Sequence, residues 1–291
     1  MNRLTDPLEI RLLLDRYGVR FSHSLGQNFL VDPSVPEQMA ESVMADWDCS
    51  VLEVGPGIGC LTIELAKRAG SVLSVELDRR LQPVLNETLA DTDNTELLFA
   101  DVMKLDLRAL AEEKMPGRTK LVCANLPYNI KSPLLTKMIE ADCFERICVM
   151  IQKEVAERIC AGPGTKDYGA FGLFVQWYCE PELLFTVPPH CFMPQPKVTS
   201  AAVRLTRRPA PPFEVDDEAL LFHVIRAAFN QRRKTLPNAL SAAMPELTKA
   251  DCETILKLSG FGTNIRGEVL NLGDFVKISN EIGEYIQKIC D

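Results

Sequence analysis

Histidine and tryptophan are scarce in this chain, with His23, His190 and His223 and two tryptophans among 291 residues. Ten cysteines are present, but no two stand in a C-x-x-C spacing. With so few histidines, no zinc-type ligand cluster can be assembled from the sequence, and no metal site is expected. Scattered cysteines of this kind read as reduced, mostly buried small hydrophobes. Long apolar runs are also missing: nothing approaches the ~18 uninterrupted residues needed to span a bilayer. The stretch Met1 to Asp15 mixes acids with its apolar residues, which argues against a signal peptide. No internal repeat or low-complexity tract stands out. A cytoplasmic address, with no membrane partner, is the default expectation.

What is present fits one large domain or a main domain with a smaller companion. The apolar share is 46% and the charged share 25%, enough for a sizeable core. The net charge of −8 argues at first sight against a nucleic-acid partner. Its distribution weakens that objection. Residues 1–200 hold 28 acids against 20 Lys+Arg, whereas residues 201–291 hold 12 of each. Within the second part Arg226, Arg232, Arg233 and Lys234 follow one another with no acid between them. Local fields, not the sum, attract phosphate.

Residues 1–50 read as helical, with an apolar face along Pro7 to Leu14 and a second helix beginning after Asp32-Pro33, where Asp32 would be the N-cap. From residue 51 an alternation sets in. Strand-like runs at Ser50–Val54, Ser71–Val75, Glu96–Phe99, Leu121–Ala124 and Arg146–Ile151 are separated by helix-like segments at 59–69, 79–90, 106–112 and 131–141. The pattern predicts an α/β fold, a mostly parallel, doubly wound, Rossmann-like sheet. The proline-rich stretch Pro181–Arg208 adds two β-like runs, Glu182–Val187 and Thr199–Leu205, expected as antiparallel strands at one end of the sheet. Pro209-Ala210-Pro211-Pro212 reads as a linker, dividing a domain of residues 1–208 from a small all-helical domain of residues 209–291. The latter's helices are expected at 216–230, 236–243, 248–258 and 272–289.

In a doubly wound sheet the ligand lies beyond the carboxyl ends of the strands, and four motifs fall there in succession. Glu53-Val54-Gly55-Pro56-Gly57-Ile58-Gly59 follows the first strand. Its G-x-G-x-G spacing differs from the dinucleotide G-x-G-x-x-G, and the acid beside it suits a cationic ligand better than a pyrophosphate. The second strand ends in Val75-Glu76-Leu77-Asp78. Glu76 can accept both hydroxyls of a ribose, or be a solvated strand-end carboxylate. Asp101, after the third strand, can accept an N–H from an adenine amino group or cap a helix; Asp78 and Asp106 read as caps. The fourth strand runs into Asn125-Leu126-Pro127-Tyr128. There the Asn125 side chain and the Leu126 carbonyl offer two acceptors to an aromatic amine, and Tyr128 offers a ring to stack on, worth on the order of 1–3 kcal/mol per base.

Together with Leu25-Gly26-Gln27-Asn28-Phe29-Leu30, Phe192-Met193-Pro194-Gln195-Pro196-Lys197-Val198-Thr199-Ser200 and Phe229-Asn230-Gln231-Arg232-Arg233-Lys234-Thr235-Leu236, these motifs carry a resemblance over nearly the whole chain. The chain resembles the S-adenosylmethionine-dependent methyltransferases that dimethylate adenines of small-subunit (16S) ribosomal RNA, the KsgA type. The resemblance implies transfer to the N6 amino groups of two adjacent adenosines in a loop near the 3′ end of that RNA. It also implies a role in small-subunit biogenesis, with the pre-ribosomal small subunit as partner; a monomer is the expectation. By the same resemblance Gln27, Asn28 and Leu30 close over the S-adenosylmethionine, Gly55 approaches its methionine end with Gly57 beside it, and Glu76 holds the ribose. Asp101 reads the adenine, with Leu77 and Val102 as neighbours, and Asn125 lies between cofactor and target base.

Phe192 either covers the other face of that base or packs in the core. Arg226, Arg232, Arg233 and Lys234, with Arg204, Arg207 and Arg208, are either the RNA-phosphate surface or a solvated helix face. Pro237 stands where the resemblance would place another basic residue, and reads as an early helix turn. Three other readings remain open at this point: a large-subunit rRNA methyltransferase of the macrolide-resistance type, an assembly factor acting mainly by binding, and a dinucleotide oxidoreductase. The Phe192–Ser200 and Gln231–Leu236 segments favour the small-subunit family over the first, and the glycine spacing disfavours the last.

Overall fold

The structure, a computed structural model, describes residues 3–21, 27–126 and 131–290. Helix α1 (Pro7–Arg16) starts where the Asp6 carboxylate accepts the Leu8 and Glu9 N–H groups at 2.8 and 3.3 Å, with proline in the first turn. A two-residue strand, β1 (Phe29–Leu30), precedes α2 (Ser34–Ser42). Asp32 does not directly precede this helix as its N-cap; Pro33 stands between them. It nonetheless closes the first turn, accepting the Ser34 N–H at 3.0 Å and its hydroxyl at 2.7 Å.

The alternation then follows as β2 (Cys49–Val54), α3 (Cys60–Ala66), β3 (Ser71–Glu76), α4 (Gln82–Thr88), β4 (Thr95–Phe99), α5 (Leu107–Lys114), β5 (Thr119–Asn125), α6 (Lys131–Glu140) and β6 (Arg146–Gln152). After it come α7 (Lys153–Cys160), α8 (Ala170–Tyr178), β7 (Cys179–Val187), β8 (Phe192–Met193) and β9 (Ser200–Arg207). Helices α9 (Glu218–Asn230), α10 (Leu236–Ala243), α11 (Lys249–Leu258) and α12 (Leu272–Cys290) complete the chain. Pro237 lies in the first turn of α10, where its missing N–H costs nothing.

Seven strands form one sheet in the order β4-β3-β2-β5-β6-β9-β7. Pairs from β4 to β6 are parallel, and β9 runs antiparallel to β6 with Ile151 opposite Ala201. Every residue of β2 is buried, as expected of a parallel strand covered on both faces. Strand order reverses between β2 and β5, so the crevice of a doubly wound sheet opens at their carboxyl ends. A separate antiparallel pair joins β1 to β8, with Leu30 opposite Phe192. The two sequence motifs around residues 27–30 and 192–200 thus meet, a pairing that periodicity does not reveal in strands of two residues.

The chain divides into two compact units, Met1–Ala156 with Glu180–Arg207, and Glu157–Cys179 with Arg208–Asp291. The sequence division at 208/209 assigns residues 157–179 to the first part, whereas in the structure they cluster with the helices. The reason is apolar. Tyr168, Leu173 and Trp177 share a buried cluster with Leu221, Ile225 and Phe275, and Tyr168 donates its hydroxyl to the Leu270 carbonyl at 2.8 Å. Trp177 Nε1 donates to Glu218 at 2.9 Å, so its ring is buried without leaving its donor unpaired. A Cβ at Gly172 would stand 2.5 Å from the Arg158 carbonyl, which accounts for glycine where α8 meets α7. Nine cysteines are free thiols, and seven of these are buried. Among the described residues no helix is long and apolar enough to cross a membrane.

Candidate active site

The ends of β2, β3, β4 and β5 surround a cavity of about 280 Å3. After β2 the chain turns through Gly55, Gly57 and Gly59 with φ of +71°, +62° and +91°, a region that side-chain-bearing residues avoid. Gly55 hydrogen-bonds its N–H to the Val75 carbonyl at 2.9 Å, and a Cβ there would meet nothing within 4 Å, so its backbone is open to a ligand. At Gly57 a Cβ would press on the Phe29 ring at 3.0 Å. The loop and the β1 segment are therefore packed together at one wall of the cavity.

Glu76 ends β3, 7% exposed. Its carboxylate accepts the Asp78 N–H at 2.8 Å and the Gly57 N–H at 3.3 Å. Burial pushes its pKa up against the pull of those two donors. Glu53, the last but one residue of β2, is 1% exposed. Its Oε2 accepts hydroxyl hydrogens from Thr62 at 2.6 Å and Ser74 at 2.7 Å, while Oε1 has no hydrogen-bond partner. Desolvation raises the Glu53 pKa to about 7. Asp101 accepts the Met103 N–H at 3.0 Å and lies 3.8 Å from the Lys104 ammonium, so it caps a turn and faces the cavity at once. The capping reading of this residue from sequence describes it.

Each residue expected at the cofactor lines this cavity: Gln27, Asn28 and Leu30 on one wall, Gly55, Gly57, Glu76 and Leu77 on the second, Asp101, Val102 and Asn125 on the third. Leu126 joins them and is itself 1% exposed, its N–H bonded to the Met150 carbonyl at 3.1 Å. Asn125 Nδ2 donates to the Asn28 carbonyl at 3.4 Å. Tyr128 lies outside the described residues. Phe192 is placed differently from the base-contact expectation. It is 2% exposed within the core cluster that holds Leu30 and Cys191, and it is not among the residues that line the cavity. The alternative of core packing describes it. Sequence reasoning missed Cys60, Leu61 and Met103 as lining residues, and did not single out Phe29 within its motif; the only signal of the first three is adjacency to motif residues.

Three acids, Glu53, Glu76 and Asp101, line the cavity, and no Lys, Arg or His among the described residues does. That set of acceptors repels a pyrophosphate and suits a ligand that bears positive charge and hydroxyls. The profile of the ribosomal RNA adenine dimethylase family matches residues 18–278. The chain belongs to that family. It is 44% identical over 286 residues to a ribosomal RNA small subunit methyltransferase A of Alkaliphilus oremlandii, covering 98% of this chain and 99% of the relative. It is 43% identical over 289 residues to the protein of the same name from Geobacillus kaustophilus, covering 98% and 99%. Among solved structures, a dimethyladenosine transferase from Plasmodium falciparum superposes with a TM-score of 0.76 at 25% identity over 88% of this chain and 98% of that one. The 23S rRNA methyltransferase ErmE gives 0.68 at 28% identity over 88% and 99%.

The basic residues of this rRNA adenine dimethylase family member divide into two groups. Arg226, Arg233 and Lys234 are exposed on α9 and the turn after it. Arg232 is engaged internally: Nε bonds Glu268 at 2.8 Å, and its two terminal nitrogens donate to the Lys166 and Thr165 carbonyls at 2.7 and 3.0 Å. Arg204 donates to the Ser42 carbonyl at 3.1 Å and pairs with Glu182, and Arg207 donates to the Ile139 carbonyl at 2.7 Å and pairs with Asp142. Arg208 donates to the Gln176 carbonyl at 3.1 Å. These four are braces, which corrects their place in a uniform phosphate surface. Arg232→Ala is therefore expected to cost about 1–2 kcal/mol of stability, discounted for its partial exposure, and to lower the melting temperature. Arg226→Ala and Arg233→Ala should leave melting unchanged; a thermal scan of the three variants separates the roles.

Proposed function

We propose that this protein is an S-adenosylmethionine-dependent dimethyltransferase of the N6 amino groups of two adjacent adenosines near the 3′ end of 16S rRNA, acting in the cytoplasm as a monomer on a pre-ribosomal small subunit. The observation that carries the reading is the conjunction of an acid-lined cavity beside a glycine turn with Asn125 and Leu126 in its lining. The small-subunit relatives match at 40–44% identity over nearly the whole chain, against 28% for the 23S rRNA methyltransferase. That difference favours the small subunit as substrate.

When bound, S-adenosylmethionine supplies a methyl carbon activated by its sulfonium. Glu76 would hold the ribose hydroxyls, and Asp101 the adenine amino group. Leu77 and Val102 would pack against the adenine ring. Glu53 and Glu76, both buried, would supply negative charge to a cationic ligand. On the acceptor side, Asn125 Oδ1 and the Leu126 carbonyl would accept the two N–H hydrogens of the target amine. That arrangement turns the nitrogen lone pair toward the methyl carbon, with the ring held by Tyr128. As the N–C bond forms, the nitrogen becomes positively charged and its proton leaves to water, so no strong base is required. A neutral amide suits a second transfer, because it does not demand two N–H donors from an amine already methylated. The target base must be unpaired or drawn from its stack to reach Asn125. Arg226, Arg233 and Lys234 are the proposed phosphate contacts, each expected to contribute about one unit to the slope of affinity against salt.

The deciding experiment incubates the protein and S-adenosylmethionine with unmethylated small and large subunits and maps modified adenines by primer extension and mass. Dimethylated adenines in the small subunit alone are expected. Modification of the large subunit, or of neither, defeats the proposal.

A further inference from the structure

The segment leading into β1 is tied down at two consecutive residues. Gln27 Nε2 donates to Asp78 Oδ2 at 3.0 Å, and the Asn28 carbonyl accepts from Asn125 Nδ2 at 3.4 Å. Asp78 is well placed as an anchor. It is 5% exposed, its Oδ1 accepts the Arg80 N–H and Nε at 3.1 and 2.8 Å, and its Oδ2 accepts a terminal Arg80 nitrogen at 2.7 Å. The Arg80 guanidinium keeps the carboxyl below its ordinary pKa range. A carboxylate fixed and ionised in this way makes the Gln27 contact a charge-assisted one. The backbone N–H of Asp78 also bonds Glu76 at 2.8 Å, so anchor and cavity wall share one strand end.

An asparagine amide has one accepting and one donating end, and rotation by half a turn exchanges them. Donation to the Asn28 carbonyl selects the rotamer of Asn125 in which Oδ1 is left to accept. We infer that Asp78 is a positioning residue for methyl transfer: through Gln27 it fixes the Asn28 carbonyl, which orients the Asn125 amide with its oxygen toward the target amine. The inference rests on the reading of the cavity and of Asn125 given above. It extends Asp78 beyond capping the turn Arg79–Leu81, a local role that would not depend on Gln27.

A double-mutant cycle on the full chain tests it, with Gln27→Leu, Asp78→Ala and both together. Single-turnover methylation of unmethylated small subunits is followed at saturating S-adenosylmethionine, beside the cofactor dissociation constant and the melting temperature. Each single change should slow the saturating rate about tenfold, the factor that ~1.4 kcal/mol represents, and the double variant should be no slower than Asp78→Ala alone. Gln27→Glu sets a carboxylate against a carboxylate and should be slower than Gln27→Leu. Adding Asp78→Asn to it exchanges amide and acid and should recover most of the rate, which a purely structural role for Asp78 would not produce. Losses that multiply in the double variant, or a Gln27→Leu rate equal to wild type, overturn the inference while wild-type binding and transfer leave the reading of the site intact. A wild-type protein that neither binds the cofactor nor transfers methyl overturns both.

Discussion

Asn125→Ala is expected to slow methyl transfer by about 10²–10³-fold, the loss typical of removing one preorganised group from a reacting centre. Binding of S-adenosylmethionine should change little. Asn125 is half-buried at the end of β5, and its side chain donates to the Asn28 carbonyl at 3.4 Å. Truncation therefore removes an acceptor without opening the core, since Leu126 and its bond to Met150 keep the strand end in place. The adenine amine is a weak nucleophile because its lone pair is delocalised into the ring. Without an acceptor to hold its N–H hydrogens, that lone pair spends little of its time directed at the methyl carbon. The measurement is a single-turnover rate on unmethylated small subunits, with calorimetry for the cofactor. A near wild-type rate with normal binding would remove Asn125 from the reaction.

The sheet was legible because its signals are local and repeated. Apolar strands such as Val51–Val54 alternate with amphipathic helices, and each strand ends in a motif whose residue types differ from the strand's own. The cavity wall followed from the same regularity, since Glu76, Asp101 and Asn125 stand at comparable positions on successive parallel strands. Three features were not legible. The β1–β8 pair has two residues per strand and no periodicity, so Leu30 and Phe192 could be joined only in three dimensions. Helix α8 is apolar on nearly every face, and only the structure shows Trp177 and Tyr168 buried with the C-terminal helices. The basic cluster misled because charge spacing carries no information about partners. Arg232 is adjacent to Arg233 yet bonded to Glu268, whereas Arg233 is exposed. A sequence reports which residues can bind phosphate, and packing decides which of them are left to do so.

Glu53 should make this protein less stable as pH rises from about 4 to about 7, and Glu53→Gln should relieve most of that loss. The Glu53 carboxyl is 1% exposed, and burial raises its pKa to about 7, against ~4.3 in an unfolded chain. Between those values the folded protein holds a proton that the unfolded chain has released, so stability is full below about pH 4 and falls as pH rises to about 7. The difference amounts to on the order of 3 kcal/mol. Glu76 is shifted in the same direction and adds to the decline. Asp78, held down by Arg80, acts in the opposite sense and only at lower pH. Glutamine reproduces the protonated acid: it can accept from Thr62 and Ser74 where Oε2 does and places an NH2 where Oε1 has no partner. The variant should therefore melt higher than wild type at pH 8 and lose little between pH 5 and 7. A cationic ligand reverses the preference, since it stabilises the ionised form of Glu53. Affinity for S-adenosylmethionine should rise with pH through 7 in the wild type, with proton release visible as a buffer-dependent binding enthalpy, and both effects should shrink in Glu53→Gln. A wild-type melting temperature that does not fall between pH 5 and 7, or cofactor binding with the same proton release in both proteins, would show that the unpartnered oxygen of Glu53 is not the group that titrates.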